Sequence, residues 1–122
     1  MNILVVDDSK AIYAMVSQML SSGGHTSVWA QDGKIAMDLL KKGEAKIDVI
    51  LLDWNMPNMN GPEFLEANIK DKFTTAPIVM MTTENSPDFI KKALSLNAAE
   101  YIMKPFTSDI LFNKLSLIEM MI

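Results

Sequence analysis

Five polar side chains follow short apolar runs in this chain. Asp7 and Asp8 come after Ile3–Val6, Asp53 after Val49–Leu52, Thr82 after Ile78–Met81 and Lys104 after Tyr101–Met103. Each alone has an ordinary explanation, since an aspartate after a strand often caps a helix or shapes a turn. Brought together, they pose a chemical problem. Three crowded carboxylates repel one another, and burial sharpens the conflict. A hard divalent cation resolves it, and Mg²⁺ commonly takes one or two carboxylates plus a phosphate while keeping several waters. Asp8 and Asp53 are candidates for direct ligands, with Asp7 either direct or through water. The backbone carbonyl of Asn55 could complete the protein's share. With charge so balanced, the Asp53 carboxylate could act as a nucleophile towards phosphorus. Lys104 would supply a mobile point charge for a phosphoryl oxygen, and Thr82 a hydroxyl for another.

For this chemistry the five residues must meet at one edge of the fold. The apolar runs Ile3–Val6, Val28–Ala30, Val49–Leu52, Ile78–Met81 and Tyr101–Met103 read as strands, several of them apolar at consecutive positions. That is the pattern of strands covered on both faces of a parallel sheet. Helical patterns lie between them. Ile12, Met15, Val16, Met19 and Leu20 fall on one helix face, with Ser9 as N-cap and Gly23-Gly24 as terminator. A second helix is expected from about Gly33 to Lys42, ending at Gly43. A third starts near Pro62. A fourth has Ser86 as N-cap and Pro87 first, with Asn97 ending it in the left-handed conformation. A fifth follows Thr107 and places Leu111, Leu115 and Ile118 on one face. Five β-α repeats predict a parallel sheet with helices on both faces. In such folds ligands bind beyond the carboxyl ends of the strands, where all five polar residues fall.

Composition narrows the function classes. A chain of 122 residues suits one domain, expected to span residues 1–122. Nearly half of it is apolar, which argues against disorder. With no cysteine there is no thiol nucleophile, disulfide or thiolate zinc site. The formal charge of −4 argues against a nucleic-acid partner. No apolar run is long enough to span a bilayer and the first residues do not read as a signal peptide, so the expectation is a cytoplasmic protein without membrane insertion, and a monomer. Of the eleven methionines, Met15, Met19, Met37, Met80 and Met81 fall in expected helices or strands and read as core filling rather than a metal-binding box. A nucleotide or flavin site fits poorly. Such sites use a glycine-rich turn after the first strand, and here that turn is Asp7-Asp8-Ser9-Lys10.

Four stretches resemble the receiver domains of bacterial two-component response regulators: Val-Val-Asp-Asp-Ser (5–9), Leu-Asp-Trp-Asn-Met-Pro-Asn-Met-Asn-Gly (52–61), Met-Thr-Thr-Glu (81–84) and Tyr-Ile-Met-Lys-Pro-Phe (101–106). They cover essentially the whole chain, in order, and are most similar to the chemotaxis members. The resemblance implies a single-domain flavodoxin-like (βα)5 three-layer sandwich with strand order 2-1-3-4-5. It implies Asp53 as the phosphoacceptor, Asp7 and Asp8 as the acidic pair for Mg²⁺, and Thr82 and Tyr101 as a switch pair that remodels the surface of the fourth helix, fifth strand and fifth helix. Asn55 and Glu84 match positions that tune hydrolysis of the phosphoaspartate, and Lys104-Pro105 matches a bond usually cis in the family. The implied partners are a histidine kinase as phosphodonor and a downstream protein, such as the flagellar motor switch.

The alternatives are a phosphorelay intermediate, a receiver excised from a larger regulator, and an aspartate-dependent phosphatase. The phosphatase would need an Asp-x-Asp arrangement after the first strand, where this chain has adjacent aspartates; the expectation is no enzyme beyond autocatalytic phosphorylation and dephosphorylation. Among the lesser residues, Trp54 is either a partly exposed lid or partner surface, and Met56 plugs its loop into the core. Gly61 is expected to supply a backbone angle other residues resist, and His25 to be a solvated loop residue. The chain departs from the chemotaxis members at Ser86 and Pro87, where they often carry lysines, and at Thr83, where they usually carry a smaller residue.

Overall fold

The structure is a computed structural model that describes residues 1–84 and 86–121. Five strands alternate with five helices: β1 Asn2–Val6, α1 Lys10–Ser22, β2 Thr26–Ala30, α2 Gly33–Lys42, β3 Val49–Asp53, α3 Gly61–Asp71, β4 Ile78–Thr82, α4 Pro87–Ser95, β5 Glu100–Met103 and α5 Ser108–Met121. All strand pairs are parallel and the order is β2-β1-β3-β4-β5. This is the flavodoxin-like doubly wound arrangement, with the winding reversing between β1 and β3.

The two-residue period of a strand decides which layer each side chain joins. Ile3, Val5, Val49, Leu51, Val79 and Met81 point to one side, where they meet Val16 and Leu20 of α1 and Leu111, Leu115 and Ile118 of α5. Leu4, Val6, Ile50, Leu52, Ile78 and Met80 point to the other, against Ala36 of α2, Phe64 and Leu65 of α3 and Ala93 of α4. The runs are apolar at consecutive positions because both faces are covered.

The helix termini follow local chemistry. Ser9 accepts from the Ile12 amide, Asp32 from Ile35, and Ser86 from Phe89. Asn60 and Glu63 form a reciprocal capping box at α3. Gly43 and Asn97 take positive φ of 68° and 70° after α2 and α4, as their sequence positions predict. The Lys104–Pro105 peptide is cis.

Three expectations need correction. Met15 is not core: it is 37% exposed, because the apolar stripe of α1 is wider than the strip the sheet can cover. Gly61 has no positive φ. A Cβ there would lie 2.8 Å from the Asp53 carbonyl oxygen, so the glycine serves close approach of backbone to backbone. His25 is half-buried rather than solvated: its Nδ1 lies 3.0 Å from the Met1 nitrogen and its ring leans on Phe112.

Candidate functional site

The sheet delivers the polar residues to its carboxyl edge. β1 ends at Val6, so Asp7 and Asp8 occupy the first turn beyond it; Asp53 is the last residue of β3, Thr82 the last of β4, and Lys104 follows β5. One ligand oxygen from each of Asp7, Asp8 and Asp53 lies within 4.8 Å of the others, a grouping that could hold a metal ion. Asp7 and Asp53 are buried and Asp8 is exposed, so the cluster is walled on the protein side and open where waters could complete a coordination shell. The donors are all hard carboxylate oxygens, the set that suits Mg²⁺ or Ca²⁺ rather than a thiolate-seeking metal.

Lys104 sits at the centre of this charge. Its Nζ donates to Asp7 Oδ2 and to Asp53 Oδ1, each at 2.9 Å. One cation against three carboxylates leaves an excess of negative charge. Burial pushes the Asp53 carboxyl above the usual carboxylate range; the Lys104 hydrogen bond pulls it back without offsetting the rise, to which the Asp7 charge adds. For Lys104, burial alone would lower the ammonium, but its bonds to Asp53 and Asp7 outweigh that and hold it above its ordinary value. Asp53 Oδ1 also accepts from the Trp54 amide at 2.9 Å, which fixes the carboxylate's orientation.

The remaining sequence-derived residues surround this cluster at different removes. Thr82 is buried and its Oγ1 accepts from the Glu84 amide at 2.9 Å, while its carbonyl accepts from the Lys104 amide at 2.7 Å. Asn55 and Glu84 are exposed on the loops after β3 and β4. Tyr101 is not at the cluster. It stands opposite Met80 within the sheet, half-buried on the α2–α3–α4 side, with the Lys114 ammonium 4.9 Å from its ring centroid. Trp54 is half-buried and packs on Phe89 of α4 with ring centroids 3.8 Å apart, and Met56 is packed against the same core cluster.

Sequence reasoning missed several residues that shape the site. Asn58 Nδ2 donates to Asp32 Oδ2 at 2.8 Å, and the Gly33 amide donates to the Met59 carbonyl at 3.1 Å, so the loop after β3 is tied to the turn after β2. A Cβ on Gly33 would lie 2.7 Å from that carbonyl. The Asp32 cap had a usable signal, an aspartate immediately before Gly33-Lys34-Ile35. The Trp54–Phe89 pair had none, because its partners lie on different elements.

A doubly wound sheet with an acidic cluster and a lysine at its carboxyl edge defines a receiver-type α/β domain. The response regulator receiver domain family matches residues 3–116, and the chain belongs to that family. It is 40% identical over 117 residues to the chemotaxis protein CheY homolog of Campylobacter jejuni, covering 94% of this chain and 89% of that one. It is 37% identical over 120 residues to chemotaxis protein CheY1 of Helicobacter pylori, covering 97% and 96%. The crystal structure of CheY4 from Vibrio cholerae superposes with a TM-score of 0.86 at 36% identity, over 96% of this chain and 97% of that one. The shared fold and these relatives make the chain a CheY-like receiver domain.

Proposed function

We propose that residues 1–122 form one receiver unit in which Asp53 accepts a phosphoryl group from the phosphohistidine of a histidine kinase, and that the change is read by a protein partner in chemotaxis. The observation that carries this is the Lys104 ammonium 2.9 Å from Asp53 Oδ1 beside a triad of carboxylates within 4.8 Å. In the transfer, an Asp53 carboxylate oxygen forms a bond to phosphorus as the phosphorus–nitrogen bond of the donor breaks, and the departing imidazole keeps that electron pair. Mg²⁺, held by Asp7, Asp8, Asp53 and the Asn55 carbonyl, would offset charge on the transferring group when bound. Lys104, already aimed at Asp53, stabilises a phosphoryl oxygen. Thr82 accepts from Glu84 through its oxygen and therefore keeps its own proton to donate to another.

The signal is read at the face made by α4, β5 and α5. Thr82 moving towards the phosphoryl group opens space along β4, and Tyr101, half-buried on β5, turns inward; the two states differ in population rather than in fold. The flagellar motor switch is the proposed target, and Asn55 and Glu84 tune hydrolysis of the phosphoaspartate. No described helix is long and apolar enough to cross a membrane; the proposed site of action is the cytoplasm, as a monomer. Phosphorylation and dephosphorylation of the chain itself are the only reactions assigned.

The test is tryptophan fluorescence of the unaltered chain, with Trp54→Phe as the control that assigns the signal to Trp54, titrated with beryllofluoride in the presence of Mg²⁺. A saturable change that Asp53→Asn abolishes is expected. No change, or an equal change in Asp53→Asn, contradicts the proposal.

A further inference from the structure

Two of the three carboxylates at the carboxyl edge are held by their own hydrogen bonds. Asp7 accepts from the Ser9 amide and from Lys104, each at 2.9 Å, and Asp53 accepts from Trp54 and Lys104. Asp8 is different. Among the described residues no hydrogen bond reaches its exposed carboxylate, so the backbone, which sets the direction of the Cα–Cβ bond, is the only part of Asp8 the fold holds. That backbone is gripped from outside the turn. The Trp29 indole N–H donates to the Asp7 carbonyl oxygen at 2.8 Å. This carbonyl belongs to the Asp7–Asp8 peptide plane, so holding it fixes the plane from which the Asp8 side chain departs.

Trp29 is itself immobilised. Its ring stacks on Tyr13 of α1 with centroids 5.2 Å apart and planes within 7°. The Tyr13 hydroxyl is 3.1 Å from Ser27 Oγ, which is 3.0 Å from Ser17 Oγ, and the Tyr13 amide donates to the Ser9 carbonyl at 3.0 Å. The donor is therefore anchored to the same first helical turn that follows the acidic pair. Indole is donor-only, and a half-buried indole takes a fixed acceptor.

Resting on the divalent-cation reading of the preceding subsection, we propose that Trp29 is a positioning residue for the cation site, acting through the Asp7 carbonyl to hold Asp8 at coordination distance. Trp29 touches neither the ion nor the phosphoryl group. Its contribution is order: without the indole hydrogen bond the Asp7–Asp8 peptide can rock, and Asp8 must be ordered at each binding event.

The experiment measures Mg²⁺ affinity calorimetrically for the full chain, for Trp29→Phe, for Asp8→Asn and for the double variant, with metal-free thermal unfolding of each. Trp29→Phe keeps the stack on Tyr13 and removes the N–H. Its Mg²⁺ dissociation constant is expected to rise roughly tenfold, as when a group orienting a metal ligand is lost, and to rise no further than Asp8→Asn alone in the double variant. Should the phenylalanine variant fail to fold, benzothienylalanine at position 29 replaces only the N–H and carries the same expectation. Unchanged affinity in a folded variant, while the unaltered chain binds Mg²⁺, overturns this proposal alone. The same loss in the Asp8→Asn background overturns the route through Asp8. Absence of Mg²⁺ binding by the unaltered chain overturns the cation reading, and this proposal with it.

Discussion

Strand β3 holds two kinds of burial side by side. Val49, Ile50, Leu51 and Leu52 have no exposed surface, and each joins an apolar cluster on one face of the sheet. Asp53, the next residue, is 9% exposed, and its environment works against its charge. The first four residues gain by leaving water; the fifth is kept there at a cost, offset in part by Lys104. The packed interior and the proposed acceptor are thus separated by one peptide bond, at the point where the strand passes from the covered interior to the open edge. Substitutions on the two sides of that boundary should move stability in opposite directions.

The largest effect belongs to the interior. Leu51→Ala leaves a cavity between the sheet and the layer of α1 and α5 and should cost about 3 kcal/mol or more in urea unfolding; a cost below about 1 kcal/mol would mean that this strand is not the packed centre. Next comes the cation of the edge. Lys104→Met leaves Asp7 and Asp53 buried without their partner, a change that costs about 3 kcal/mol, and millimolar Mg²⁺ should restore part of the loss. A Lys104→Met variant as stable as the parent, or indifferent to Mg²⁺, would contradict the balance of charge described here.

Asp53→Asn should move the other way, stabilising the metal-free fold by on the order of 1 kcal/mol, the size of gain common where function opposes stability. The advantage should shrink in acid. A carboxyl raised in the fold binds its proton more readily folded than unfolded, so its contribution is fully present below its unfolded value near ~3.9 and is lost as pH rises through the folded value. A denaturation series from pH 7 downward checks this, and a gap that widens in acid would refute it. The smallest change contrasts a second carboxylate. Although burial alone would raise it, Asp32 is held below the usual range by the Asn58 side chain, the Ile35 and Lys34 amides and the Lys34 charge. Its cap should contribute about 1 kcal/mol. That contribution is present above about pH 4 and fades as pH falls through the lowered folded value. Asp32→Ala and the parent should therefore converge in acid, and a constant difference would show that capping by the charged form is not the cause.

How much of this was legible in the sequence divides along the same boundary. The fold was readable because consecutive apolar residues and helix caps are local signals: Ser9, Gly43, Ser86-Pro87 and Asn97 each act within a few residues of themselves. The acidic cluster was readable because a doubly wound sheet sends every strand end to one edge. What escaped were contacts between residues far apart in the chain. Nothing near Trp29 announces the Asp7 carbonyl, and nothing near Trp54 announces Phe89. Met15 escaped for another reason: helical periodicity gives the direction of an apolar stripe but not the width that the neighbouring layer covers. Gly61 showed that a glycine is needed without showing whether for an angle or for clearance.

The central claim is that Asp53 is the acceptor. Incubation with radiolabelled acetyl phosphate and Mg²⁺, followed by denaturation and hydroxylamine treatment, tests it most directly. The account predicts a hydroxylamine-labile label that requires Mg²⁺ and is absent from Asp53→Asn. A label that persists in Asp53→Asn, or that forms equally with the metal chelated, would contradict it.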